Sequence, residues 1–163
     1  MQKEKMIRTI KWCLVVIWML VIFNFSAQTA VESSALSDGI VDRMMDFMEN
    51  FYHQVLGAVW QFPRKTLVFI VRKGAHMSVY FVLAILVHGA WHPAASVRSK
   101  NIKTLILCTL YAISDECHQS FVPGRSAELR DVCVDTAGAV LGILAVTLIL
   151  YGIRHRKIKA EQC

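Results

Sequence analysis

Residues 132–151, VCVDTAGAVLGILAVTLILY, are twenty consecutive positions in which Asp135 is the only charge. At a helical rise of about 1.5 Å per residue such a run reaches about 30 Å, the thickness of a bilayer's hydrocarbon core. Lipid offers no partner to a free backbone N–H or C=O, so a run of this kind crosses as a helix. It is preceded by Asp131 and followed by Arg154, Arg156, Lys157 and Lys159, a strongly basic flank on one side only.

Working outward from this segment, three further apolar stretches stand at about residues 10–26, 67–91 and 104–121. The expected fold is therefore all-α, a polytopic membrane protein built as a four-transmembrane-helix bundle. The whole of 1–163 is read as a single membrane domain. With 55% hydrophobic and 18% charged residues in 163, the chain is too apolar for an ordinary soluble domain and too short to carry a separate soluble enzyme. The first stretch resembles a secretory signal, but a cut after Ala30 would put Gln28 where a small residue is needed, so retention as an anchor is expected.

The formal charge of +6 raises nucleic acid as a partner, and the placement of the charges argues against it. If the termini and the loop between spans two and three lie inside, eleven basic and two acidic residues are on that side, against seven basic and ten acidic on the other. That asymmetry is the positive-inside pattern, and it predicts cytoplasmic N- and C-termini. Between spans one and two, Leu36, Ile40, Met44, Phe47, Met48, Phe51 and Val55 recur at helical spacing, with Asp38, Asp42, Asp46 and Glu49 on the other face. This predicts an extracytoplasmic amphipathic helix over about 36–62, capped by Ser37 or Asp38 and stopped by Pro63, lying on the outer interface or over the bundle.

Charges inside hydrocarbon cost about 2.5–3.5 kcal/mol each on insertion scales, so those present are candidates for function. Span two carries Arg72, Lys73, His76 and Tyr80, the last three on one stripe. Span three ends in Asp115, Glu116, His118 and Gln119, the loop after it holds Arg125, and span four opens with Asp131 and Asp135 one turn apart. All fall toward the outer end. Lys73, Arg125 and Arg72, with Gln119 and Tyr80, are candidate ligand-binding residues for an anion. Asp115, Glu116, His118 and His76 are candidate acid/base groups, and Asp131 and Asp135 candidate orienting or ion-pair partners. The competing reading is that these charges only tie helices together, Lys73 with Asp115 or Asp135 and Arg125 with Asp131. Gly138 and Gly142 continue the Asp135 face as a small-residue stripe suited to close helix contact.

No metal site is expected, because neither H-E-x-x-H nor comparable ligand spacing occurs, and the spacing of Cys13, Cys108, Cys117, Cys133 and Cys163 forms neither a zinc motif nor a disulfide framework. His53, His88, His92 and His155 read as surface residues, and Trp60 and Trp91 as interfacial anchors. The cofactor is left unknown.

At these residues the chain resembles the VanZ-like membrane family. The resemblance rests on Phe23-Asn24-Phe25-Ser26-Ala27-Gln28, on Arg72-Lys73-Gly74-Ala75-His76 with Tyr80, on the long run from Asp115-Glu116-Cys117-His118-Gln119 to Pro123-Gly124-Arg125, and on Asp131 to Asp135 with Gly138 and Gly142. It departs from many members at Val79, where an acid is common, and at Ala27, often serine. The resemblance implies an envelope protein in a bacterial cell membrane, in a family named for association with teicoplanin resistance. Three functions follow as expectations: binding and modification of an anionic envelope lipid or lipid-linked wall precursor, a non-catalytic shielding or structural role, and proton-linked transport. Enzyme activity and oligomeric partner are left open.

Overall fold

Helix termination signals divide the chain into five α-helices in a computed structural model that describes residues 2–57 and 63–161. They are α1 (Gln2–Ser26), α2 (Ala30–Leu56), α3 (Arg64–Ala90), α4 (Val97–Gln119) and α5 (Leu129–Glu161). Trp60 and Cys163 lie outside the described residues. The fold is all-α. Among the described residues three helices are long and apolar enough to cross a membrane: Gln2–Ser26, Arg64–Ala90 and the Leu129–Lys157 part of α5.

The third expected span, residues 104–121, falls within α4 and the turn after it, and α4 is not among those three. Its apolar stretch is hemmed in at both ends, by Arg98, Lys100 and Lys103 in the first two turns and by Asp115, Glu116 and His118 in the last. It is nonetheless a bundle helix, with Thr104, Cys108, Ala112, Asp115 and Gln119 buried along one side.

The helix expected from Leu36 starts six residues earlier, at Ala30. Thr29 and Glu32 form a capping box: the Thr29 hydroxyl accepts from the Glu32 N–H at 3.3 Å, and a Glu32 carboxylate oxygen accepts from the Thr29 N–H at 2.9 Å. The backbone hydrogen bond from Thr29, and then its hydroxyl, hold the Glu32 carboxyl below its ordinary pKa. Ser37 instead bonds back to the Ser33 carbonyl within the helix, and Asp38 pairs with Arg64 at 3.0 Å. The helix closes on Gly57 in the left-handed region, φ 61°, before Pro63 is reached. Among the described residues of α2, only Ser37 and Val41 are buried. Leu36, Ile40, Met44, Phe47, Phe51 and Val55 are exposed, so most of the apolar stripe is left unpacked, with Leu36 and Ile40 bordering a cavity toward α1 and α3.

α3 is the centre, packing against each of the other helices and most extensively against α5. The small-residue stripe explains the closeness of that pair. A Cβ at Gly138 would collide with the Met77 carbonyl oxygen, and one at Gly142 would lie 2.5 Å from the Phe81 carbonyl oxygen and 3.0 Å from the Ala84 Cβ. The core is Val15 and Ile22 of α1, Tyr80, Leu83, Ala84 and Val87 of α3, Cys108 and Ala112 of α4, and Ala139 and Ile143 of α5. Side chains also bond to helix backbones across the bundle: Trp18 Nε1 donates to the Val79 carbonyl at 2.9 Å and the Tyr111 hydroxyl to the Met19 carbonyl at 2.6 Å. At the far end Lys11 donates to the Gly89 carbonyl, and Trp12 meets Trp91 edge to face at 5.0 Å.

His88 is only 3% exposed, which corrects its reading as a surface residue: it faces α4, where its Nε2 meets Asn101 Oδ1 at 3.1 Å. Asn101 in turn donates to the Thr147 hydroxyl at 3.3 Å. Trp91 is likewise part of the packing, donating to the Thr104 hydroxyl at 3.0 Å. His53, His92 and His155 are exposed.

The helix contact at Gly138 sets a first expectation. Gly138→Ala loses about 1–3 kcal/mol of stability through overpacking against backbone that cannot rotate away, and its melting temperature in detergent falls. Gly152→Ala, where an added Cβ meets nothing within 4 Å, melts as the parent does. Equal melting of the two variants would show that α3 and α5 do not meet here.

Candidate functional site

Helix direction brings the polar segments to one end. α1 ends there at Ser26, α3 begins there with Arg72 to Tyr80, α4 ends there with Asp115 to Gln119, and α5 begins there with Asp131 to Asp135. The link from α4 to α5 turns back on itself: the Val122 N–H bonds to the Gln119 carbonyl, the Arg125 N–H to the Val122 carbonyl. Gly124 takes φ 77° beside Ala30, whose Cβ lies 3.2 Å from where a side chain on Gly124 would begin. Arg125 is thereby aimed inward, and its Nη1 donates to Gln119 Oε1 at 2.9 Å.

Three sets of contacts tie helices. Lys73 forms an ion pair with Asp131, each side chain about one-fifth exposed, and its ammonium also sits 5.8 Å from the Phe69 ring centroid. His76 Nδ1 lies 3.7 Å from Asp135 Oδ1, with Asp135 wholly buried. Both join α3 to α5. A third set joins α1 to α4: Ser26 donates to Asp115 Oδ2 at 2.7 Å, and Gln119 Nε2 donates to Ser26 at 3.0 Å and to Asp115 Oδ2 at 3.2 Å. Ser26 had no signal as a polar site residue beyond its place in Phe25-Ser26-Ala27. Lys65, Glu128 and Arg130 also reach the site and were not singled out from the sequence.

Two cavities meet at this end. One, of about 360 Å³, lies among α1, α2 and α3, lined by Ile22, Phe25, Leu36, Ile40, Val71 and Val79, with Ser26, Gln28, Ser33, Ser37, Ser78, Tyr80 and Asp115 among its polar residues. The other, of about 380 Å³, is rich in cations: Lys65, Arg72, Lys73, Arg125 and Arg130, against Glu128 and Asp131. Arg72, His76 and Arg125 line both.

The cations differ in partnership. Lys73 has Asp131, and Arg130 has Glu128 at 3.1 Å. Arg72 and Arg125 are partly buried, and among the described residues neither has a carboxylate within salt-bridge distance. Arg125 Nε is buried without a hydrogen-bond partner. Burial, and then the neighbouring Arg72 guanidinium, lower the Arg125 pKa by disfavouring its charge, and a bound anion would oppose both effects. Tyr80 Oη, Asp115 Oδ1 and both Asp135 carboxylate oxygens are also buried without hydrogen-bond partners.

The structure thus gathers Arg72, His76, Tyr80, Asp115 and Arg125 around the cavities, with Gln119 and Asp131 on the basic side. Glu116 and His118 line neither. Glu116 Oε2 accepts the Glu128 N–H at 3.0 Å and so anchors the loop, while His118 stacks on Phe23 with ring centroids 4.3 Å apart. Cys13, Cys117 and Cys133 are exposed, Cys108 is buried, and all four are free thiols.

Compared with known proteins, residues 11–150 match the sequence model of the VanZ/LLP1 family. No curated protein matches, and no solved structure does.

The Lys73–Asp131 pair yields a test of the tie. Lys73→Met alone leaves Asp131 unpaired and costs about 2 kcal/mol, a value discounted from that of a fully buried pair because water reaches both side chains. Lys73→Met with Asp131→Leu recovers part of that loss. Additive losses in the double variant, read from melting in detergent, would contradict a direct pair.

Proposed function

The chain belongs to the VanZ/LLP1 family, and from that premise we propose that it binds an anionic envelope lipid or lipid-linked wall precursor at the polar end of its bundle. The observation that carries this reading is the Arg72 and Arg125 pair. Helix ties account for Lys73 and His76, but two neighbouring guanidiniums without a carboxylate partner are an arrangement that a phosphate or carboxylate would complete. In this reading the protein sits in the bacterial cell membrane and crosses it four times, α4 included, with both termini inside. The basic flanks at Lys3 to Lys11, Arg98 to Lys103 and Arg154 to Lys159 support that orientation. The site then opens to the outer leaflet, and α2 lies on the outer surface with its apolar stripe in lipid. Glycopeptide tolerance, teicoplanin included, would follow from a changed presentation of the bound precursor.

A second reading, that the bound lipid is chemically modified, draws support from His76 beside the buried Asp135 carboxylate. An imidazole oriented by a carboxylate is a proton-transfer device. The lipid's fate separates the two: a product mass appearing on incubation, and lost in Asp135→Asn, marks an enzyme, while unchanged lipid marks a binding protein.

Anionic lipids that copurify in mild detergent, quantified by mass spectrometry, test the binding site. Arg72→Gln with Arg125→Gln reduces them at least about tenfold, since even one lost charge-assisted hydrogen bond, at about 1.5–3 kcal/mol, corresponds to that factor, and leaves melting close to the parent's. A folded double variant carrying the parent's full complement of anionic lipid would sink the proposal.

A further inference from the structure

The two cavities differ in chemistry but share a wall, and a single ligand that filled both would have to be charged at one end and apolar at the other. The basic cavity is walled by Arg72 and Arg125. The apolar cavity starts from the same two side chains and continues between α1, α2 and α3. Along α3, the lining passes from Arg72 through Ala75 to Val79, about 10 Å of helix rise. Along α1 it passes from Ser26 to Ile22. Both paths lead from the charged end toward the apolar middle of the helices, the direction a lipid's chain takes from its headgroup.

Resting on the anion-binding reading above, we propose that the cavity under α2 is an acyl-chain subsite: one hydrocarbon chain of the bound lipid runs beneath α2 between α1 and α3, while the anionic headgroup occupies the basic cavity. The protein then selects amphiphiles over free anions. A chain arriving from bilayer hydrocarbon gains van der Waals fit to the cavity wall rather than removal from water, and the guanidiniums set the headgroup. α2 is the cover of this subsite. Its Ser33 and Ser37 line the cavity with Leu36 and Ile40, and Arg64, paired with Asp38 and with Asp42 at 3.0 and 2.9 Å, pins it to the start of α3.

Two lining residues report on the inside alone, because Ile22 is 3% and Ser37 8% exposed and bulk lipid does not reach them. The full chain, reconstituted in phosphatidylcholine nanodiscs, is given a phosphatidylglycerol carrying a photoactivatable diazirine near the chain's middle, and the labelled positions are mapped by mass spectrometry. Saturable labelling at Ile22 and Ser37, lost in the Arg72→Gln, Arg125→Gln double variant and reduced at least severalfold in Ser37→Phe, is the expected result. Saturable, arginine-dependent labelling confined to outward positions such as Leu144 and Leu148 would keep the headgroup site and overturn the chain subsite. Labelling indifferent to the arginines would overturn both.

Discussion

The close approach of α3 and α5 is the constraint on which the rest of the bundle depends. In lipid there is little hydrophobic gain in pressing two apolar helices together, so association rests on van der Waals packing and on whatever polar groups the contact can satisfy. Gly138 and Gly142 let α5 lie against the carbonyls of Met77 and Phe81. The same approach carries Asp135 to His76 and Asp131 to Lys73, one and two turns farther along the interface. Packing and ion pairing are thus two effects of one geometry. The glycines remove the distance, and the charges gain partners that lower the cost of leaving them near hydrocarbon.

That accounting separates structural charges from those left over. Lys73 and Asp131 cancel, Glu116 holds the loop by accepting the Glu128 N–H, and Asp115 is held by Ser26 and Gln119. Gln119 then uses its amide oxygen for Arg125. A neutral amide can position a guanidinium without neutralising it, so Arg125 arrives oriented and still cationic, next to Arg72.

The sequence carried the helical class and the location of the polar end clearly, because both depend on segment-level patterns: apolar runs, flanking charge and i, i+3 or i+4 spacing. Partner assignment was less legible. Lys73 has Asp131 rather than either aspartate weighed for it, and Arg125 has Gln119, because such choices turn on helix rotation and loop shape that spacing does not encode. The start of α2 was readable in principle, since Thr29 and Glu32 spell a capping box, but the apolar stripe from Leu36 drew the boundary inward. His88 was misplaced for a similar reason. Near a helix end a histidine suits the interface, and only the facing Asn101 shows that it turns into the bundle.

The two ends of the molecule bear on how the site can work. At one end lie charged side chains and cavities. At the other, His88, Asn101 and Thr147 form a hydrogen-bonded set. Between them on α3 stand Leu83, Ala84 and Val87, all wholly buried and packed on Cys108, Ala112 and Ala139. A proton crossing that layer would need a relay of polar side chains or a water file, and close-packed apolar side chains provide neither. Among the described residues this layer offers no polar route between the two ends, which fits the proposed lipid site at Arg72 and Arg125 better than it fits transport.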